Sequence, residues 1–254
     1  MSEEDTVQAR MTGYWDRFAR AYDAHQSARL AEAGEQELWA AVYGDVLGAA
    51  PRDVLDVGTG SGTLALVLAA AGHRVTGVDL SRGMLAVAQE EAAGHPHPPR
   101  FVLGDAVHPP LPRGSVDAVV SRYLLWTLRE PEVALRQWFD LLRPGGVLVA
   151  VDGPWFREEP ATPGDSAGSP SSMSAEPPTE REAAFAVAYD AETFAALPFG
   201  AAEPAAIVAV WEAAGFTEVR VDPLPQVLAR DRERGVAPGH RPQLQYRISG
   251  HRPR

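Results

Sequence analysis

Three aspartates, each at or near the end of a short apolar run, are the residues of this chain best placed to do chemistry. Asp56 stands two positions before Gly58 in the run Asp53-Val54-Leu55-Asp56-Val57-Gly58-Thr59-Gly60-Ser61-Gly62. Val54, Leu55 and Val57 have strand propensity. From Thr63 onward Leu64, Val67, Leu68 and Ala71 share one helical face. A strand that turns on glycines into a helix leaves backbone N–H groups pointing outward and lets a ligand come close. A dinucleotide site wants G-x-G-x-x-G, but position 63 is Thr, so the run reads G-x-G-x-G. A carboxylate at position 56 repels a pyrophosphate and suits a ligand carrying a cation, such as an amino group or a sulfonium.

Asp79 follows a second strand pattern, Arg74 to Val78. An acid at the end of the second strand of a doubly wound sheet can accept both ribose hydroxyls. It can also serve as the N-terminal acid of the helix that Ser81 caps, and the two roles are compatible. With ribose there, Leu80 and Met84 flank an adenine. Phe101 to Leu103 predicts a third strand, followed by Gly104-Asp105-Ala106, where Asp105 by itself reads as a turn residue. Val116 to Ser121 is apolar enough to be buried on both faces of a parallel sheet. Its carboxyl end, where ligands of open α/β sheets sit, projects Ser121, Arg122, Tyr123 and Trp126. Arg122 has the planar fork for a substrate carboxylate or phosphate, or for a neighbouring acid. Tyr123 and Trp126 line an acceptor pocket or pack the core, and Trp155, just after the fifth strand, is within reach of the same mouth.

The run Asp56–Gly62 resembles motif I of the class I S-adenosylmethionine (SAM) dependent methyltransferases. Gly104-Asp105-Ala106, Leu142-Arg143-Pro144-Gly145-Gly146 and the late Ala213-Ala214-Gly215-Phe216 resemble that family's later motifs. Asp56–Gly62, Asp79, Asp105 and Pro144-Gly145-Gly146 come in order at the expected strand ends, and the resemblance they carry covers about Tyr14 to Val151. By that resemblance Asp56, Gly58, Thr59 and Gly60 hold the methionine end of SAM. Asp79 takes the ribose, Gly104, Asp105 and Ala106 cap the adenine, and Ser121 faces the cofactor. The family's closing helix carries a Tyr-Asp pair, which points to Tyr14 and Tyr22 as cofactor contacts. Arg122, Tyr123, Trp126 and Trp155 become the substrate-side candidates. His25, His108, Tyr22 and Asp105 are the groups available as a general base, with nothing in the sequence to choose among them.

These side chains need a scaffold. The expectation is a single domain over residues 1–254: a Rossmann-like, doubly wound α/β fold. Its seven-stranded sheet is mostly parallel with the last strand antiparallel. A helical cap covers residues 1–48, and an insertion follows the fifth strand over residues 157–200. Trp15, Phe18 and Tyr22 fall on one helical face of the cap, while residues 1–10 are polar enough to fray. Leu38, Trp39, Val42, Tyr43 and Val46 form the inner face of a second cap helix. Glu158 to Glu180 is rich in Pro, Ser, Gly and Thr and reads as a mobile segment. Phe185 to Phe199 predicts a small returning helix. Arg230 to Arg234 reads as a solvated helix face, and Gln243 to Ser249 as the closing strand.

Composition closes off several chemistries. The 254 residues contain no cysteine, which removes disulfides, thiolate metal sites and a Cys nucleophile. All 23 basic residues are Arg, so a Schiff-base lysine and a phosphate-loop lysine are excluded. His95 and His97 lie two apart in a proline-rich loop without a third ligand, and no metal site is expected. The net charge of −11 opposes nonspecific nucleic-acid binding. No basic-then-apolar leader or membrane-length apolar run stands in the sequence, so no membrane partner is expected and the location expected is cytoplasmic. No Asn-Pro-Pro-Tyr stands after the fourth strand, which argues against methylation of adenine or glutamine amino groups. The function expected is methyl transfer from SAM to an N or O atom of a small molecule of secondary metabolism, leaving S-adenosylhomocysteine. A cyclising or cleaving use of SAM, a SAM-binding module without turnover, and a remote nicotinamide dehydrogenase are the competing readings.

Overall fold

The structure, a computed structural model, describes residues 3–155, 179–200, 202–236 and 242–254. A seven-stranded sheet organises them. Its strands are β1 (Asp53–Val57), β2 (Arg74–Asp79), β3 (Arg100–Leu103), β4 (Val116–Arg122), β5 (Leu142–Asp152), β6 (Thr217–Pro223) and β7 (Tyr246–His251). The spatial order is β3-β2-β1-β4-β5-β7-β6. β1 to β5 pair in parallel, and β7 inserts antiparallel between β5 and β6. The strand order reverses beside β1, where β2 lies on one side and β4 on the other. That switch point puts the carboxyl ends of β1, β2 and β4 around one crevice.

β1 and β4 register as Val54 with Ala118 and Leu55 with Val119, all four buried, as expected for a sheet covered on both faces. The core divides between the two sides. Trp138, Leu135 and Trp211 fill one side, from α5 (Pro131–Leu141) and α8 (Pro204–Ala213). Trp39, Tyr43, Leu47 and Leu68 fill the other, from α2 (Glu35–Leu47) and α3 (Thr63–Ala70). β5 begins at Leu142 and so includes the Pro144-Gly145-Gly146 segment expected to precede it. Its pairing with β4 is interrupted there, passing from Val116–Leu142 to Ala118–Val147.

The cap departs from expectation in extent. One helix, α1, runs from Glu3 to Leu30, and Val7 and Met11 are buried in it, so the segment expected to fray is anchored from its second turn. Its Tyr14 and Phe18 pack against Tyr189 and Leu197 of the returning chain. That return is two helices rather than one. α6 (Glu180–Ala188) starts on a capping box between Thr179 and Glu182, and α7 (Ala191–Ala195) starts on an Asp190 cap. The expected mobile stretch falls almost wholly outside the described residues. α4 (Arg82–Glu91) follows β2, and α9 (Pro225–Arg234) precedes β7. No described helix is long and apolar enough to cross a membrane.

Candidate active site

The glycine turn after β1 is built by local bonds. Gly58, Gly60 and Gly62 have φ of 65°, 56° and 82°, a region that residues bearing a Cβ rarely enter. The Thr59 N–H donates to the Val78 carbonyl at 3.0 Å, which pins the turn to β2. The Thr59 hydroxyl donates to Asp56 Oδ2 at 2.6 Å. Asp56 is 1 % exposed, and burial pushes its carboxyl up to about 7 against the opposing pull of the Thr59 hydrogen bond and of Arg122. It lies on a small recess with Gly58, Thr59, Gly60, Tyr22 and Arg122.

Asp79 is half-buried at the tip of β2 and works in two directions. Its Oδ2 accepts the Gly60 N–H at 2.9 Å and its Oδ1 accepts the Ser81 N–H at 2.8 Å. One carboxylate therefore fixes both the glycine turn and the start of α4, and each oxygen keeps a lone pair. Burial, the larger influence, raises its pKa. Asp79, Leu80, Met84, Asp105, Ala106, Gly58 and Gly60 line one open cleft of about 980 Å³. Asp105 Oδ1 closes its own turn by accepting the Val107 N–H at 2.8 Å. A Cβ on Gly60 would meet nothing within 4 Å, so the turn faces open space there.

A second chamber of about 780 Å³ lies beside the first. Its walls are largely aromatic: Trp15, Tyr22, Trp39, Tyr123, Trp126 and Trp155. Trp15, Tyr22, Arg122 and Tyr123 line both spaces. The Arg122 guanidinium sits 4.8 Å from the Trp39 ring and 4.9 Å from the Tyr123 ring, and donates to Gln26 Oε1 at 2.7 Å. Tyr123 holds a φ of 61°, a strained value for a residue of its size, and its ring stands edge-on to Trp155 at 5.1 Å. Its phenol donates to Gln245 Oε1 at 2.9 Å, and burial raises its pKa.

The remaining sequence candidates are placed elsewhere. Tyr14 is buried under the cap, where its hydroxyl accepts from Arg181 Nε at 3.2 Å, and it lines neither space. Ser121 is fully buried; its carbonyl accepts the Tyr43 hydroxyl at 2.7 Å, and its own hydroxyl has no partner among the described residues. Gly104 lies behind the cleft wall, and a Cβ on it would strike Pro110 at 2.7 Å. Of the groups considered as a base, His108 is exposed and outside both spaces, whereas His25 lines the aromatic chamber. Burial first, and then the nearby cations Arg29, Arg181 and Arg122, lower the His25 pKa.

Several site residues had no motif to mark them. Glu35 and Trp39 come from α2, Gln245 from the edge of β7, and Asp231 from the segment expected to be a solvated face. Asp231 is 5 % exposed and bonded to Arg29 and Gln245. Asp152, also buried, accepts the indole N–H of Trp155 and the Gly153 N–H, and so orients Trp155 at the end of β5. Burial lifts its carboxyl to about 6.

Comparison with known proteins agrees with this geometry. A family model described as a methyltransferase domain matches residues 55–150. A demethylmenaquinone methyltransferase of Streptomyces griseus is 30% identical over 190 residues, covering 73% of this chain and 78% of that protein. One from Thermus thermophilus is 38% identical over 107 residues, covering 41% of this chain and 49% of that protein. The first few such relatives are matched over 49% to 60% of their own length. Among solved structures, a Haemonchus contortus phosphoethanolamine N-methyltransferase in complex with S-adenosylhomocysteine superposes with a TM-score of 0.66 at 18% identity. That match covers 94% of this chain and 58% of that one. Sheet order, glycine turn and strand-end acids thus agree with the sequence matches, and the chain belongs to the class I SAM-dependent methyltransferases.

Proposed function

We propose that the protein moves the methyl group of SAM to a ring carbon of a small, flat, quinone-derived acceptor held in the aromatic chamber. The observation that carries this is the shared wall. Trp15, Tyr22, Arg122 and Tyr123 border both the nucleoside-sized cleft and the chamber, so two ligands would meet there. The residues present fit SAM. The glycine turn is open at Gly60, Asp79 keeps acceptor capacity toward ribose, and Leu80 and Met84 give apolar sides for adenine. The recess bearing Asp56 and Arg122 offers one carboxyl group and one cation to an amino-acid tail. Bound there, SAM supplies an electrophilic methyl on a sulfonium. Relatives named as demethylmenaquinone methyltransferases, and one named as a ubiquinone/menaquinone biosynthesis C-methyltransferase, support carbon in place of the nitrogen or oxygen expected from sequence.

The chain's own work is positioning, exclusion of water and proton handling. The Tyr123 ring stands edge-on to those of Trp39 and Trp155, and the three offer apolar walls to a flat ligand. α1 carries Trp15 and Tyr22 over the junction of the two spaces. His25, neutral near pH 7 because its pKa is lowered, can take the proton that an acceptor must lose. Incubation of the chain with methyl-labelled SAM and a demethylated quinol tests the reading. Label on a ring carbon of the acceptor, with S-adenosylhomocysteine formed in equal amount, is expected. Methylthioadenosine in its place supports a cleaving or cyclising use of SAM.

A further inference from the structure

A continuous polar network runs along the floor of the aromatic chamber. The Tyr123 phenol donates to Gln245 Oε1 at 2.9 Å, and Gln245 Nε2 donates to Asp231 Oδ2 at 2.9 Å. Arg29 donates to Asp231 Oδ1 at 3.2 Å and to Glu35 Oε1 at 3.1 Å. Glu35 Oε1 also accepts the Trp39 indole N–H at 3.1 Å. All six residues line the chamber.

Two atoms of this network have no partner among the described residues. They are Glu35 Oε2 and Arg29 Nε, both buried. A buried carboxylate oxygen without a donor is destabilising, more so when charged. Native proteins keep few such atoms, and those that persist beside a cavity point to a ligand. Glu35 itself is 2 % exposed, in a side chain fixed by two bonds to its other oxygen, so Oε2 cannot turn away to water.

We infer that Glu35 determines acceptor specificity: its free Oε2 receives a hydrogen bond from a hydroxyl on a neutral aromatic ring seated in the chamber. This rests on the chamber being the acceptor site. Glu35 Oε2 needs a donor, which a ring hydroxyl supplies and a ring carbonyl cannot. Charge favours a neutral ring as well. Around the chamber Arg29 and Arg122 balance Glu35 and Asp231, and the Arg122 guanidinium already occupies the faces of Trp39 and Tyr123 that an ammonium would seek. The ring therefore enters carrying O–H rather than in a carbonyl-only, oxidised form.

The test is calorimetric titration of the full chain, saturated with S-adenosylhomocysteine, by 1-naphthol and by 1-methoxynaphthalene. These rings differ in the donor and share the aromatic body. The naphthol is expected to bind at least about 10-fold more tightly, as loss of a hydrogen bond to a charged group implies. Glu35→Gln, which keeps the shape but places a donor at that position, is expected to remove the preference and leave S-adenosylhomocysteine affinity within about twofold. Equal binding of the two rings to the unaltered chain, or no binding of naphthol, overturns the inference without the need of a variant. A preference that survives Glu35→Gln overturns it too. Failure of S-adenosylhomocysteine to bind at all is the separate result that removes the proposed function.

Discussion

The carboxylate of Asp16 accepts a 2.7 Å hydrogen bond from the hydroxyl of Ser81, which ties α1 to the turn carrying Asp79. The same oxygen accepts the Gly83 N–H at 2.9 Å, and the Ser81 hydroxyl in turn accepts the Met84 N–H at 3.0 Å. The helix that covers the site thus caps the helix whose first turn lines it. Contact is close enough that a Cβ at Gly83 would meet the Asp16 carbonyl at 2.5 Å.

Asp16→Ala is therefore predicted to loosen the cap while leaving the sheet intact. A loss of about 1–2 kcal/mol is expected from the missing acceptor. Hydrogen exchange should quicken along residues 3–30 and S-adenosylhomocysteine affinity should fall several-fold. Gly83→Ala should produce the same pattern by steric means. Unchanged exchange in α1 with either substitution would show that the latch does not hold the cap.

Asp79→Asn should weaken SAM binding about 10- to 100-fold, the cost of losing a charged acceptor at a ligand. Part of this arises because the Gly60 and Ser81 N–H groups both rely on that carboxylate. Denaturant unfolding beside calorimetry separates the contributions. If stability drops and affinity does not, Asp79 is a helix cap and nothing more.

Asp56 gives a pH signature to stability. Its folded value of about 7 lies above its ordinary value of 3.8, so between those limits the native chain holds a proton that the unfolded chain has released. Its favourable contribution is complete below about pH 4 and is lost as the pH rises through 7. The lost contribution is of the order of a few kcal/mol. Asp56→Asn should flatten this slope and gain on the unaltered chain between pH 5 and pH 8 in urea unfolding. A parallel pH dependence of the two proteins would place the carboxyl in an ionised state throughout.

His25 gives a pH signature to turnover. Because burial and three arginines lower its pKa, the acidic limb of kcat/KM is predicted to fall below 6.5, the ordinary value for histidine. His25→Gln should lower kcat while leaving S-adenosylhomocysteine affinity unchanged, and should abolish that limb. A limb that persists in the variant would assign the proton to another group.

How far the sequence reached depends on which residues report locally. The places of the glycine turn, Asp79 and Asp105 in the fold were legible because strand, turn and helix follow one another within a few residues. β7 was expected as the antiparallel closing strand and lies between β5 and β6, though it begins later than expected, running from Tyr246 to His251. The aromatic chamber was legible only in part, since its walls come from α1, α2, α9 and the residue just before β7 at once. Trp39 and Leu38 share one periodic pattern, which marks burial but cannot say whether a ring meets core or cavity. Asp231, surrounded by Arg and Glu in sequence, carries no local mark of its burial. Only the fold brings it to Arg29 and Gln245. Tyr14 illustrates the converse, since a tyrosine on the cap helix turned out to face α6 and Tyr189 rather than the cleft.

Titration calorimetry of the intact chain with S-adenosylhomocysteine, with NADH as the control ligand, bears most directly on the whole reading. One site per chain with a Kd in the range of about 1–100 μM, and no heat from NADH, is the predicted result. No saturable binding of S-adenosylhomocysteine up to millimolar concentration would contradict it.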